Sequence, residues 1–241
     1  MRAIDLGYRP RPQFVGFHKR TQRFAALVCH RRAGKTVACI HDLLDAALRC
    51  PHERPNYAYL SPYYAQAKAV AWDYLRQAVS PLREMGATFN ESELRADLPN
   101  GGRVRLYGAD NADALRGLRL DGIVCDEYGD WDPRAWPEVL RPALADRQGT
   151  AVFIGTPKGR NDFHKMWVRS QSEAGWFSLM LKASETGLIL PAELASAKLD
   201  LSDNQYEQEF ECSFDAAVQG TYYGKLMAQA ETDKRIAGVP Y

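Results

Sequence analysis

Phe24-Ala-Ala-Leu-Val-Cys29-His-Arg-Arg-Ala-Gly-Lys-Thr36 decides the fold. Six apolar residues run into a short polar loop. From Lys35 to about Arg49, Val37, Ile40, Leu44, Ala47 and Leu48 then recur at helical spacing. A buried strand, a loop and a helix in that order frame a phosphate-binding loop, whose pattern is G-x-x-x-x-G-K-[ST]. Gly34, Lys35 and Thr36 match it, and Cys29 stands where the first glycine belongs. The loop's N–H groups and the helix N-terminus would hold a β-phosphate. Lys35 would bridge the β- and γ-phosphates, and Thr36 would offer its hydroxyl to Mg²⁺. Gly-Lys-Thr at a helix start also arises by chance, so the motif needs company.

Ile123-Val-Cys-Asp-Glu127, about 90 residues on, supplies it. An apolar strand ending in two acids places Asp126 to hold Mg²⁺ through water and Glu127 to polarise an attacking water. Ile154-Gly-Thr-Pro-Lys-Gly159 ends a further apolar strand with Thr156 at its carboxyl edge, where ligands bind in open α/β sheets. There Thr156 would sense a γ-phosphate and couple hydrolysis to motion. Either stretch alone is an ordinary strand end; the three in this order are a much rarer coincidence.

Outward from these motifs, short strands are expected at Tyr57–Leu60 and Trp176–Leu181, and helices at 65–79, 136–146 and 162–172. Leu94-Arg-Ala-Asp-Leu98, Pro99-Asn-Gly-Gly102 and Val104-Arg-Leu106 read as antiparallel strands about a turn. Alternating helices and fully apolar strands imply an α/β fold, a parallel-rich sheet with helices on both faces. Residues 1–181 form the expected core and 182–212 a small helical lid subdomain with short helices at 191–199 and 204–210. Residues 213–241 are expected as a C-terminal arm or linker.

The chain of 241 residues carries 31 Lys+Arg against 30 Asp+Glu, a balance that excludes a globally basic nucleic-acid binder but not a local basic groove. An apolar share of 46% excludes wholesale disorder. No run is long enough for a membrane span, and Met1-Arg2-Ala3-Ile4-Asp5 opens no signal peptide, so secretion is not expected. Cys29, Cys39, Cys50, Cys125 and Cys212 include no tight C-x₂₋₄-C pair, although His30, His41 and His52 follow three of them closely. They read as small buried hydrophobes in a reducing compartment rather than zinc ligands.

The three motifs in this order resemble the ATPase domain of tailed-bacteriophage terminase large subunits. That family often lacks the first glycine of the loop and carries an arginine four residues before the lysine, here Arg31. It has an adenine-recognising glutamine upstream, matched by Gln13 in Arg9-Pro-Arg-Pro-Gln13. Tyr59-Leu-Ser-Pro-Tyr-Tyr-Ala-Gln-Ala-Lys68 is similar to its second strand and following helix. Leu115-Arg-Gly117 places Arg116 where the family has an arginine reaching a neighbour's ATP, and Gly155-Thr-Pro157 matches its coupling motif. The resemblance covers most of residues 8–223. Gln208-Glu-Phe-Glu-Cys-Ser-Phe214 and Gly220-Thr-Tyr-Tyr223 look like the stretch leading to a nuclease domain, whose first catalytic Asp would fall beyond Tyr241. Nuclease activity is therefore not expected in this chain.

The resemblance implies a RecA-like P-loop NTPase of the ASCE class, with an extra strand between the two motif-bearing strands. It implies an ATPase using ATP and Mg²⁺, driving packaging of double-stranded DNA into procapsids. Gln13, Arg31, Arg32, Ala33, Gly34, Lys35 and Thr36 would bind nucleotide; Thr36 and Asp126 would hold the metal. Lys35, Glu127, Arg31 and Arg116 would be catalytic. Implied partners are DNA, a portal protein, a small terminase subunit and further copies in a ring, in the host cytoplasm with transient docking on the procapsid. Arg95, Arg103 and Arg105 in the hairpin, and Lys158 and Arg160 after the third motif, are the candidate DNA contacts, few and salt-sensitive as a motor that must release its track requires. A helicase-type ATPase and a nucleotide-binding assembly module with little turnover are the alternatives; turnover with and without DNA, and strand separation, discriminate them.

Overall fold

Beyond Cys29 the chain turns sharply out of one sheet edge, and all three motifs leave the sheet at that edge. The computed structural model describes residues 5–215, 229, 230, 233 and 235. Eight strands form one sheet: β1 (Phe24–Cys29), β2 (Asn56–Ser61), β3 (Thr88–Asn90), β4 (Arg95–Asp97), β5 (Arg103–Gly108), β6 (Gly122–Cys125), β7 (Thr150–Gly155) and β8 (Trp176–Leu181). Their order is β3-β4-β5-β2-β6-β7-β1-β8. From β5 to β8 every pairing is parallel; β3 and β4 add antiparallel strands at one edge. The expected hairpin thus exists, and its second strand β5 joins the main sheet. β7 lies between β1 and β6, with Leu27 opposite Ile154 and Val124 opposite Val152. This is the extra strand expected of the ASCE class.

The helices are α1 (Val15–His18), α2 (Lys35–Arg49), α3 (Tyr64–Gln66), α4 (Trp72–Val79), α5 (Arg141–Ala143), α6 (Asp162–Ser172), α7 (Ala183–Thr186), α8 (Pro191–Asp200) and α9 (Asp203–Glu209). Strand alternation sends side chains to two cores. Leu27, Tyr59, Val124, Val152 and Ile154 pack on α2 and α4. Val28, Leu60, Ile123, Cys125 and Phe153 pack on the other side, against Trp136, Leu140, Phe163 and Trp176. Both faces are covered, which is why these strands carry no polar alternation. Cys212 and Phe214 return to the second core, so the segment after β8 is anchored there.

Two helices differ from the simple periodic expectation. The helix expected at 65–79 starts at Tyr64 and contains a π turn at Ala67–Ala71. The helix expected at 136–146 is a π turn at Ala135–Leu140 followed only by α5. Pro137 and Pro142 lack the N–H groups that a regular ladder there needs. Gly220-Thr-Tyr-Tyr223, and most of the segment expected as an arm, lie outside the described residues.

Phe153 holds β7 in place from the second core. Its ring lies 4.8 Å from Tyr128, 4.7 Å from Trp136 and 5.7 Å from Trp176, centroid to centroid. Phe153→Ala should cost about 3–5 kcal/mol in urea unfolding; a loss well under 1 kcal/mol would mean that this cluster collapses around the gap.

Candidate functional site

The loop between β1 and α2 is wound tightly. Arg32 has φ 65° and Gly34 φ 95°, both left-handed. The left-handed φ requires glycine at 34, and a Cβ there would also lie 3.3 Å from the Arg11 guanidinium. Arg11 clamps the loop from the N-terminal segment, donating from Nη1 to the carbonyls of Ala33 at 2.8 Å and Arg32 at 3.3 Å. With those carbonyls occupied, the loop cannot turn them toward an anion at the start of α2.

Lys35 leaves the first turn of α2 and reaches the end of β6. Its Nζ lies 2.7 Å from Glu127 Oε1, with both side chains largely buried. Burial works against the ammonium charge, but Glu127 and Asp126 outweigh it and hold the lysine pKa above its ordinary value. Glu127 has φ 46°, a strained position for a non-glycine residue. Its Oε2 accepts the Thr156 N–H at 3.3 Å, so the third motif touches the second directly.

Asp126 is buried behind this pair. Tyr59 donates its hydroxyl to Oδ2 at 2.8 Å, the Glu127 N–H reaches Oδ1 at 3.0 Å, and Trp131 Nε1 holds the Asp126 carbonyl at 2.9 Å. Burial, and then the neighbouring Glu127 charge, push its pKa up from 3.8 to about 6, against the opposing pull of Lys35. Tyr59 also interacts with the Thr36 hydroxyl, so Thr36, Tyr59 and Asp126 form one polar line.

Arg31, Arg32, Lys35, Glu127, Thr156 and Lys158 line one cleft of ≈ 330 Å³. Arg31 is held from α9. Its Nε pairs with Glu209 Oε2 at 2.6 Å, and its N–H donates to the Glu209 carbonyl at 3.1 Å. The last turn of α9 is thereby fastened to the loop. Gln13 donates from Nε2 to the Thr186 carbonyl at 3.1 Å, while its Oε1 is buried without a partner among the described residues. His30 joins the same cluster: Nδ1 lies 2.6 Å from the Arg31 carbonyl, and Nε2 lies 2.9 Å from the Thr186 hydroxyl.

The remaining candidates lie apart or are already paired. Arg116 is half exposed and held by Asp113 at 2.7 Å and Glu138 at 3.6 Å, in a separate recess also lined by Asp132 and Arg134. Arg105 lies 3.8 Å from Glu93, Arg103 3.7 Å from Asp97, and Arg95 bridges the same two acids. Lys158 pairs with Asp130 at 2.6 Å inside the cleft, and Arg160 with Asp215 at 2.8 Å. The hairpin arginines and the cleft residue Lys158 are therefore not one basic surface. Arg11, Tyr59, Thr186 and Glu209 were not nominated as site residues; Arg11, Tyr59 and Glu209 lie inside the resembling stretches at 9–13, 59–68 and 208–214, whereas Thr186 carried no signal.

The N-terminal model of terminase large subunits of the T4likevirus type matches residues 29–229, well over half of the chain. The terminase large subunit of Thermus phage G20c is 25% identical over 184 residues, and that of Escherichia phage T5 24% identical over 200. These alignments cover 68% and 80% of this chain, but only 37% and 44% of those relatives, so the chain spans less than half of either. In fold it is similar to the large terminase ATPase domain of Thermus phage P74-26, with TM-score 0.74, 21% identity, and 87% of this chain and 95% of that one covered. It is also similar to the large terminase of a thermophilic bacteriophage solved in complex with ADP, with TM-score 0.66, 13% identity, and 80% and 48% covered. The sheet order, the placement of β7 and the extent of the family match lead to one conclusion: this chain belongs to the terminase large subunits, in their N-terminal part.

Proposed function

We propose that this chain is an ATP-hydrolysing motor domain that drives packaging of double-stranded DNA into procapsids. The observation that carries the reading is the Lys35–Glu127 contact, with Asp126 behind it, at the carboxyl ends of two strands separated by β7. The site fits ATP: a left-handed glycine loop opens α2, an ammonium stands at its mouth, and Gln13 Oε1 is a spare buried acceptor for an adenine amino group. Thr36 and Asp126 would hold Mg²⁺, which supplies charge neutralisation on the phosphates.

In this reading Lys35 transfers from Glu127 to the phosphates, which frees the Glu127 carboxylate to orient water. Thr156, bonded to Glu127 through its N–H, registers that release and passes it to the segment following β7. Arg31 exchanges Glu209 for the γ-phosphate, which loosens α9 from the loop. Arg32 and Ala33 contribute loop N–H groups. Arg116 acts on a neighbouring subunit's ATP, in keeping with its exposed place outside its own cleft. Portal, small terminase subunit and a ring of copies complete the machine, in the host cytoplasm and docked on the procapsid. Arg103, Arg105, Lys158 and Arg160 are assigned weak DNA contacts, each needing release from its acidic partner first.

Glu127→Gln should lower ATP turnover at least ~10²-fold while nucleotide binding persists, and Lys35→Ala should lose both. Equal loss of binding in the two variants would make Glu127 a structural acid. Mixing Glu127→Gln with Arg116→Ala should restore turnover that neither has alone, because a mixed interface pairs an intact Glu127 with a neighbour's intact Arg116; no restoration would remove the role in trans.

Asp126 is harder to ionise in the fold than unfolded. Its contribution to stability is therefore present below pH 3.8 and is lost as pH rises through about 6. In thermal unfolding without Mg²⁺, Asp126→Asn should lose less stability than the parent across that window. Identical profiles would place the titration on another group.

A further inference from the structure

At the opposite edge of the sheet from the cleft, the chain gathers three different metal-ligating groups. Cys50 caps the carboxyl end of α2, His52 follows in the next loop, and Asp121 immediately precedes β6. One ligand atom from each lies within 4.8 Å of the others. Asp121 Oδ1 is 2.6 Å from His52 Nδ1 and 3.8 Å from Cys50 Sγ. We propose that Cys50, His52 and Asp121 form a binding site for a zinc-class divalent cation, with solvent as the fourth ligand.

The donor chemistry selects the ion. A thiolate, an imidazole and a carboxylate suit tetrahedral Zn²⁺ and disfavour Mg²⁺ and Ca²⁺, which take oxygen ligands. Cys50 releases its S–H proton to solvent on binding, and the thiolate and carboxylate together balance the dication. Zinc bonds of ~2.0–2.3 Å place neighbouring ligand atoms ~3.3–3.5 Å apart. The sulfur is already near that distance from Asp121. His52 must withdraw by under ~1 Å, and its side chain is 43% exposed on a loop.

The carboxylate is fixed as a ligand's outer shell requires. Asp121, only 3% exposed, accepts the Asn56 N–H on Oδ2 at 2.8 Å. Arg147 reaches Oδ1 at 3.2 Å and Oδ2 at 3.5 Å, and also donates to the Glu53 carbonyl, tying down the loop that carries His52. With metal on Oδ1, Arg147 keeps Oδ2 and Glu53. The search for tight cysteine pairs misses this set because its third donor lies 69 residues from His52 in sequence. A metal here would join the far end of the helix that begins at Lys35 to the start of the strand that leads to Asp126.

Cobalt titration of the reduced protein tests the site. Cys29, Cys39, Cys125 and Cys212 are all at most 2% exposed, so a thiolate-to-cobalt charge-transfer band reports Cys50 alone. The band should saturate at one equivalent and be displaced by Zn²⁺. Affinity should fall at least ~10-fold in His52→Ala, and the band should vanish in Cys50→Ser. Zn²⁺ should also raise the melting temperature of the parent protein and leave that of His52→Ala unmoved. Absence of a band with excess cobalt, or a band and affinity unchanged in His52→Ala, would overturn the assignment. Neither readout depends on ATP turnover.

Discussion

Lys35 and Glu127 meet at 2.7 Å across the width of β7, and the proposed nucleotide site depends on that contact. Each residue sits on a different βα connection. Both side chains are largely buried, and each has its backbone fixed, Lys35 by the first turn of α2 and Glu127 by a left-handed φ of 46°. A phosphate group is the natural competitor for the lysine. In the proposed function, a phosphate that took the lysine would leave the Glu127 carboxylate facing a water-accessible cleft, the condition a general base needs. Strain and charge are thus stored where they are used.

The surroundings of the pair have a common logic. Arg11 fixes the carbonyl side of the loop, Glu209 fixes Arg31, Thr186 links Gln13 to His30, and Thr156 reads Glu127. The N-terminal segment and the segment after β8 therefore both make contact with the loop between β1 and α2. In the proposed function, exchange of one ion pair for a phosphate would reach both segments without any change in the sheet, whose two packed cores resist deformation.

Much of this was legible in the sequence because apolar strands bounded by turn residues and long periodic helices are local signals. β1, α2, β6, β8 and α6 fall where the pattern puts them. The ASCE topology came from the family that the three motifs resemble. What local patterns do not encode is pairing at long range. The Arg31–Glu209 contact spans 178 residues and the Gln13–Thr186 contact 173, and nothing local to Arg31 or Gln13 names its partner. The π turn at Ala135–Leu140 escaped because periodicity sees apolar spacing, not the missing N–H groups of Pro137 and Pro142. Basic residues nominated for DNA were read as charges alone. The fold gives Arg103, Arg105, Lys158 and Arg160 each an acidic neighbour that sequence spacing does not reveal.

The most direct test of the account is a crystal structure of the chain with Mg²⁺ and a non-hydrolysable ATP analogue. Lys35 Nζ should have left Glu127 for the phosphate oxygens, with Gln13 Oε1 on the adenine and Asp126 facing the metal. A nucleotide seated elsewhere, with the Lys35–Glu127 contact intact, would contradict it.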